Sequence, residues 1–280
     1  MHENLWKSYQ KLNYQTVEYL QRINDENLLL ILVDKALAFM RDFDMQDFIA
    51  RIGVIKLTYI YYKHDSIYQK IKERIQAKGD NVDDKLSKLY TVDDSQALVQ
   101  QLVDHIQKYA SRKMCVRAIL CQIYHHALHN RVREARDLML KTHIGSVIGT
   151  HHVDNQILYN RAITQTGMAA FRLGDMKLSH EILVEIYQNI RFKELLGQGI
   201  NKNPEKSQEQ EIEEKRRLIP HHMAISLQVL ESIHYITSML IEIPMMSENQ
   251  HAMKKTIVSK HYRRLIEQYD NKQAFVLAAE

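Results

Sequence analysis

Eight glycines and three prolines in 280 residues leave too few points of sharp chain reversal for a sandwich or barrel of short strands. Helices joined by polar loops need fewer such points, and the apolar residues fall at helical spacing. Leu29, Leu32, Val33, Ala36 and Met40 predict a helix from about Asp25 to Asp42. Phe48, Ile52, Ile55, Tyr59 and Tyr62 predict a second, whose length outweighs its β-branched residues. From Gly79 to Asp94 the chain turns polar and offers no stable apolar face, which predicts a surface loop. Asp93 and Gln96 have capping-box spacing and open a helix carrying Leu98, Leu102, Ile106 and Tyr109.

Two helical hairpins follow. The first runs from Arg112 to His143 and turns near His129-Asn130, its first helix bearing Ala118, Ile119 and Ile123 and its second Val132, Ala135 and Met139. The second, from Asn155 to Ile190, has tetratricopeptide spacing: Ile163, Gly167, Gly174, Met176, Ser179, Leu183 and Ile186. Gly167 permits close helix approach, Gly174 supplies the turn, and Ser179 is small enough to pack tightly. Asn130 and Ala135 occupy the matching positions 44 residues upstream, against the usual ~34, so the repeats are degenerate. Past Gly197-Gln198-Gly199, which lacks a third glycine and a preceding strand and therefore reads as a helix terminator, the charged stretch Pro204 to Arg217 suits a solvated helix. It pairs Glu211 with Lys215 and Glu213 with Arg217. Pro220 is placed to open a helix with Val229, Ile233, Ile236, Leu240 and Ile243 on one stripe, ending at Pro244. A basic helix around Lys254 to Tyr269 is last, and Phe275-Val276-Leu277 ends without a covering element. The expected fold is all-α: a right-handed stack of degenerate tetratricopeptide-like hairpins, an α-solenoid, with an N-terminal part over 1–110 (polar loop near 79–94) and a repeat part over 111–280.

The chemistry is sparse. Cys115 and Cys121 lack CxxC spacing, which argues against a disulfide framework or zinc knuckle and for a reducing compartment. Met1-His2-Glu3-Asn4 opens no signal sequence, and the longest apolar run, Leu28 to Val33, is too short for a membrane span, so a cytosolic or nuclear location is expected. His125 and His129 share a helix face as in HExxH sites, but position 126 is His rather than Glu and no third ligand is signposted. Packing is the preferred role for them, and for His151-His152 and His221-His222. No nucleophile motif is present, so neither catalysis nor a metal or organic cofactor is expected. A net charge of +4 leaves RNA contact open. The candidate RNA-contacting residues are Lys254, Lys255, Lys260, Arg263 and Arg264, weighed against an ordinary solvated face. Arg131, Arg133 and Arg136 form a weaker cluster.

The run Ala118-Ile119-Leu120-Cys121-Gln122-Ile123-Tyr124-His125-His126-Ala127-Leu128-His129, continued by Ala135 to Leu140, resembles the c subunit of eukaryotic translation initiation factor 3. Gln156 to Arg161, Lys193 to Gly199, Gln208 to Glu211 with Arg216-Arg217, Leu240 to Met246 and Ile257 to Lys260 match in the same order, with a weaker likeness at Val17 to Leu20. The resemblance implies a non-catalytic helical scaffold that joins other subunits, especially the factor's a subunit, and helps the assembly bind the small ribosomal subunit in the cytoplasm. It also implies further helices and a winged-helix module, together the PCI domain, and an amino-terminal arm. Neither is visible in these residues, which are expected to be a segment of a longer protein. A PCI-family scaffold of the proteasome-lid or signalosome type and a helical RNA-binding protein are the alternatives.

Overall fold

The structure, a computed structural model, describes residues 30, 32–69, 73, 94–187, 189, 191–200, 207–248, 259–260 and 262–269. Every regular element among the described residues is helical. The helices of eight residues or more are, in chain order, α1 (32–42), α2 (Gln46–Ile60), α3 (Ser95–Tyr109), α4 (Arg112–Leu128), α5 (Val132–Thr142), α6 (Val153–Arg172), α7 (Met176–Tyr187), α8 (Gln208–Arg217), α9 (Leu227–Glu248) and α10 (262–269), with short helical turns between them. Most of the polar stretch 79–94 and the apolar 275–277 lie outside the described residues.

Helices α4 and α6 are the middle of the packing. Between Ala118 and Leu128 the only polar side chains of α4 are Gln122, Tyr124, His125 and His126, and all four are buried. A helix apolar nearly all round must be covered on several sides. Accordingly α4 packs against α2, α3, α5 and α6. Leu57, Val103, Ile106, Leu120, Ile123, Ala127, Ala135, Leu158 and Ala162 form one core. On its other side α6 meets α7 and α9, where Ile163, Leu183, Ile186, Tyr187, Leu230 and Ile233 form a second. Each large side chain so buried is worth ~1.5–3 kcal/mol.

Both predicted hairpins are present. A Cβ built on Gly167 would sit 2.9 Å from Leu183 Cδ2 and 3.1 Å from Ile182 Cγ2, so any larger residue would push these α7 side chains aside at the close approach of α6 and α7. Ser179 and Ala135 are fully buried at the small positions. The two turns share one hydrogen-bond pattern. Asn130 (φ 61°) donates to Ala127 O and Arg131 to His126 O, as Gly174 (φ 84°) donates to Phe171 O and Asp175 to Ala170 O. This left-handed cap satisfies the last carbonyls of a helix, and Asp44 and Gly197 repeat it. Arg172 joins the two turns, donating from Nε to Asn130 Oδ1 (2.7 Å) and from Nη2 to Ala127 O (3.2 Å).

A Cβ at Gly174 would meet nothing within 4 Å, so its conformation alone demands glycine. Gly174→Val is therefore expected to cost ~1–2 kcal/mol from backbone strain, while Gly174→Asn, matching Asn130 at the other turn, should cost clearly less. Equal melting temperatures for the two variants would contradict the left-handed turn.

The structure corrects five sequence expectations. The cap of α3 is Asp94, whose Oδ1 accepts from Gln96 N–H (2.9 Å) and Ala97 N–H (3.1 Å), rather than Asp93. In α2 and α3 the predicted Tyr59 and Ile106 are buried, but the rest of the buried face is turned to Ile49, Gly53 and Leu57 and to Val99 and Val103, leaving Phe48 and Tyr109 exposed. Pro220 opens the short 3₁₀ turn His221–Met223, and α9 starts only at Leu227. Pro244 does not stop α9, which runs to Glu248. A proline forfeits its own N–H bond but leaves the later ones intact, and Ser247 Oγ donates back to Pro244 O (2.8 Å). The Val229/Ile236/Leu240/Ile243 stripe points outward, and only Ile233 of the predicted set is buried. Helix α8 behaves as expected, with Lys215–Glu211 at 3.5 Å and Arg217–Glu213 at 2.5 Å, and it starts with a Ser207/Gln210 capping box.

Candidate functional site

Three knots of buried polar side chains fasten the helices together, and two of them are built from residues singled out in the sequence. The first surrounds the α4–α5 turn. His125 is fully buried with Nε2 3.0 Å from Ser95 Oγ, and His129 Nε2 lies 3.2 Å from Asp65 Oδ2. His64 stacks on His129 with ring centroids 4.6 Å apart. Arg131, beside His125, donates to Gln96. These ring nitrogens are occupied by partners on α3 and on the segment after α2, so the histidines bind the turn to the preceding helices. No group of three His, Cys, Asp or Glu among the described residues is arranged to hold a metal. Burial, followed by the cationic charge of His129, Arg131 and His126, pushes His125 down to about 3. His126 is lowered too, chiefly by burial.

The second knot centres on Arg161 of α6, the largest fully buried side chain among the described residues. Its Nη2 donates to Met223 O, its Nη1 approaches Gln198 Oε1 at 3.5 Å, and the guanidinium lies 5.8 Å from the Tyr124 ring centre. Gln198 clamps Ile225 from both sides, donating to its carbonyl (2.8 Å) and accepting from its N–H (3.2 Å). The neighbouring Asn160 donates to Leu195 O at 3.1 Å. The segments Gln156–Arg161 and Lys193–Gly199 thus meet in space.

The third knot ties α7, α9 and the start of α10. Glu242 is 2% exposed, and its Oε1 lies 2.8 Å from His180 Nε2 and accepts from Ser259 N–H at 3.1 Å. Ser259 Oγ lies 2.7 Å from His234 Nε2 and accepts from Tyr262 N–H at 3.3 Å, the position of a helix cap. The His234 ring stacks on Tyr187 at 4.3 Å. This network turns the polar face of α9 inward. Neither thiol is chemically prepared: burial pushes Cys121 up to about 12 and also raises Cys115.

Of the candidate RNA contacts, Lys260 and Arg264 are exposed, and Arg263 is half-buried with Nε 3.2 Å from Glu267 Oε1. Lys254 and Lys255 lie outside the described residues. Nothing in the sequence foretold the third knot, since His180, His234, Glu242 and Ser259 are spread over three elements. The one available signal was polar residues recurring opposite an apolar stripe in α9.

Sequence comparison decides the affiliation. A family profile described as "Eukaryotic translation initiation factor 3 subunit 8 N-terminus" matches residues 1–253. The chain belongs to this family. Among curated relatives named as the C subunit of eukaryotic translation initiation factor 3, it is similar to that of Xenopus laevis (34% identity over 94% of this chain) and that of Phaeosphaeria nodorum (34% over 98%). The Danio rerio protein matches at 34% over 94%. The chain spans 28% of the Xenopus and Danio proteins and 33% of the fungal one, about a third of a full-length C subunit of initiation factor 3. Among the described residues no helix is long and apolar enough to cross a membrane.

Proposed function

We propose that this chain is a segment of a non-catalytic scaffold subunit of cytoplasmic translation initiation factor 3, supporting assembly of the complex and its binding to the small ribosomal subunit. The observation that carries the reading is 34% identity, across nearly the whole chain, to proteins named as the C subunit of that factor. The architecture suits the role. Hairpins α4–α5 and α6–α7 with equivalent turns fit a right-handed stack of degenerate tetratricopeptide-like repeats, with 1–110 as the N-terminal part and 111–280 as the repeat part leading toward a PCI domain. The buried histidines and Arg161 are spent on fastening helices, consistent with a scaffold rather than an enzyme. The factor's a subunit is the foremost partner. The cationic set Lys254, Lys255, Lys260, Arg263 and Arg264 is the surface for ribosomal RNA phosphates.

Affinity purification of the full-length protein tests this directly. The other subunits of initiation factor 3, the a subunit among them, should co-purify together with small ribosomal subunits. Recovery of proteasome-lid or signalosome subunits instead would refute the assignment. In the same preparation, Lys260→Glu with Arg264→Glu should weaken ribosome association more at low than at high salt, leaving subunit recovery unchanged.

A further inference from the structure

Helices α1, α2 and α3 enclose a cleft of about 330 Å³, at the lower end of the sizes that hold small organic ligands. Its apolar walls are Leu37 of α1, Ile49 of α2, and Leu98 and Leu102 of α3. The last two are half-buried, because α3 turns Val99 and Val103 to the core and leaves Leu98 and Leu102 lining the cleft. Aliphatic walls of this kind offer an apolar body close contact and shelter from water.

The polar part of the lining is one-sided in charge. Arg41, Lys56 and His105 contribute to it, and no acidic residue does so among the described residues. Lys56 is the more enclosed cation, its side chain 18% exposed, and its Nζ gives one hydrogen to Asp34 Oδ1 at 2.6 Å and keeps two. Asp34 thereby offsets one of the two cations and leaves one in excess. The acids adjacent in sequence to lining residues do not cancel it. Asp42 is exposed, Asp47 pairs with Arg51, and Asp44 and Asp104 accept from Gln46 and Gln100. His105 Nε2 is buried with no hydrogen-bond partner among the described residues, so the lining also contains an unsatisfied polar residue. One negative charge on an apolar body complements this arrangement, and a carboxylate can accept from the arginine fork and the ammonium together. A helix, about 10–12 Å across with its side chains, is too large for the cleft.

We propose that this cleft binds a small organic monocarboxylate, its apolar body against Leu37, Ile49, Leu98 and Leu102 and its carboxylate toward Lys56 and Arg41. The site goes beyond the scaffold role and stands without it. The probes are naphthoate and its uncharged counterpart naphthylmethanol, titrated into the 280-residue chain by calorimetry and followed by methyl NMR. Naphthoate should bind with a Kd below about 1 mM and at least about tenfold tighter than the alcohol. Arg41→Glu, at an exposed position, should remove most of that preference without shifting the melting temperature, whereas Lys35→Glu, exposed on α1 but outside the lining, should preserve it. Methyl signals of Leu37, Ile49, Leu98 and Leu102 should move on addition of naphthoate, and those of the exposed Ile236 and Leu240 on α9 should not. If Arg41→Glu fails to fold, the methyl shifts of the unaltered chain supply the same reading. Binding weaker than about 1 mM, equal binding of acid and alcohol, an undiminished preference in folded Arg41→Glu, an equal loss in Lys35→Glu, or shifts confined to other methyls overturns the proposal. So does tighter binding of a glutamate-rich peptide than of naphthoate, which would make a partner chain the occupant.

Discussion

Arg161→Ala is expected to destabilise the chain by about 3–5 kcal/mol, more than loss of a typical surface contact by an order of magnitude. The guanidinium fills a site with no solvent access and satisfies Met223 O while approaching Gln198 Oε1. Alanine removes the volume and also leaves a buried carbonyl without its donor, and each effect is individually worth a few kcal/mol. Arg161→Met separates the two, because it restores most of the volume and none of the donors. Its cost should fall between those of the alanine variant and the unaltered chain. Arg161→Lys keeps the charge but loses the planar fork, so it should not rescue fully. Urea titrations followed by circular dichroism give these differences. An alanine variant within about 1 kcal/mol of the parent would mean that Gln198 and Met223 are held in place without Arg161.

The elements themselves were readable because helix period, capping residues and turn residues act locally. Asn130, Gly174 and Gly197 end helices where their conformational freedom suggests, and Ala135, Gly167 and Ser179 sit at the close approaches predicted from residue size. The apolar face chosen by each helix was less legible. In α3 both Leu98/Leu102 and Val99/Val103 keep helical spacing, so sequence allows two adjacent faces and the neighbours α2 and α4 select the second. In α9 the choice reverses outright. Its apolar stripe is continuous, yet packing Glu242 and His234 against His180 and Ser259 requires the polar side to face inward, and the stripe is left outside. A buried carboxylate without hydrogen bonds would be far more costly than exposed leucine and isoleucine. That preference depends on Ser259 and His180, 17 and 62 positions away, which no local period encodes. The same distance hides the partners of His125 and Arg161, whereas the residue types themselves were a usable signal: an arginine or histidine inside an apolar helical run must be fastening something.

The histidines of the α4–α5 turn should make the fold sensitive to mild acid. Free in an unfolded chain, a histidine titrates near 6.5. In the folded chain burial, reinforced by the charges of His129, Arg131 and His126 and only partly opposed by Asp65, pushes His125 down to about 3. Above pH 6.5 His125 is neutral in both states and its contribution to stability is complete. Below that pH the unfolded chain takes up a proton that the folded chain refuses, so stability falls as pH drops, at about 1.4 kcal/mol per unit for a fully buried group, until the folded state itself titrates near 3. His126 and His64, both lowered chiefly by burial, act in the same direction. Asp65 acts only at lower pH. Burial raises its carboxyl, but the hydrogen bond from Ser95 and the charge of His129 outweigh that and hold it below its usual value, so its contribution persists above about pH 4 and is lost beneath. The expected result is a urea midpoint that is level from pH 8 to 7 and declines steadily between pH 6.5 and 5. His125→Gln keeps a polar group facing Ser95 but cannot titrate, so it should be less stable than the parent at pH 7 and decline less steeply, the two curves converging toward pH 5. A parent midpoint unchanged between pH 7 and 5, or a variant that declines in parallel with it, would show that His125 accepts its proton without cost, and the buried neutral ring at the centre of the turn would have to be abandoned.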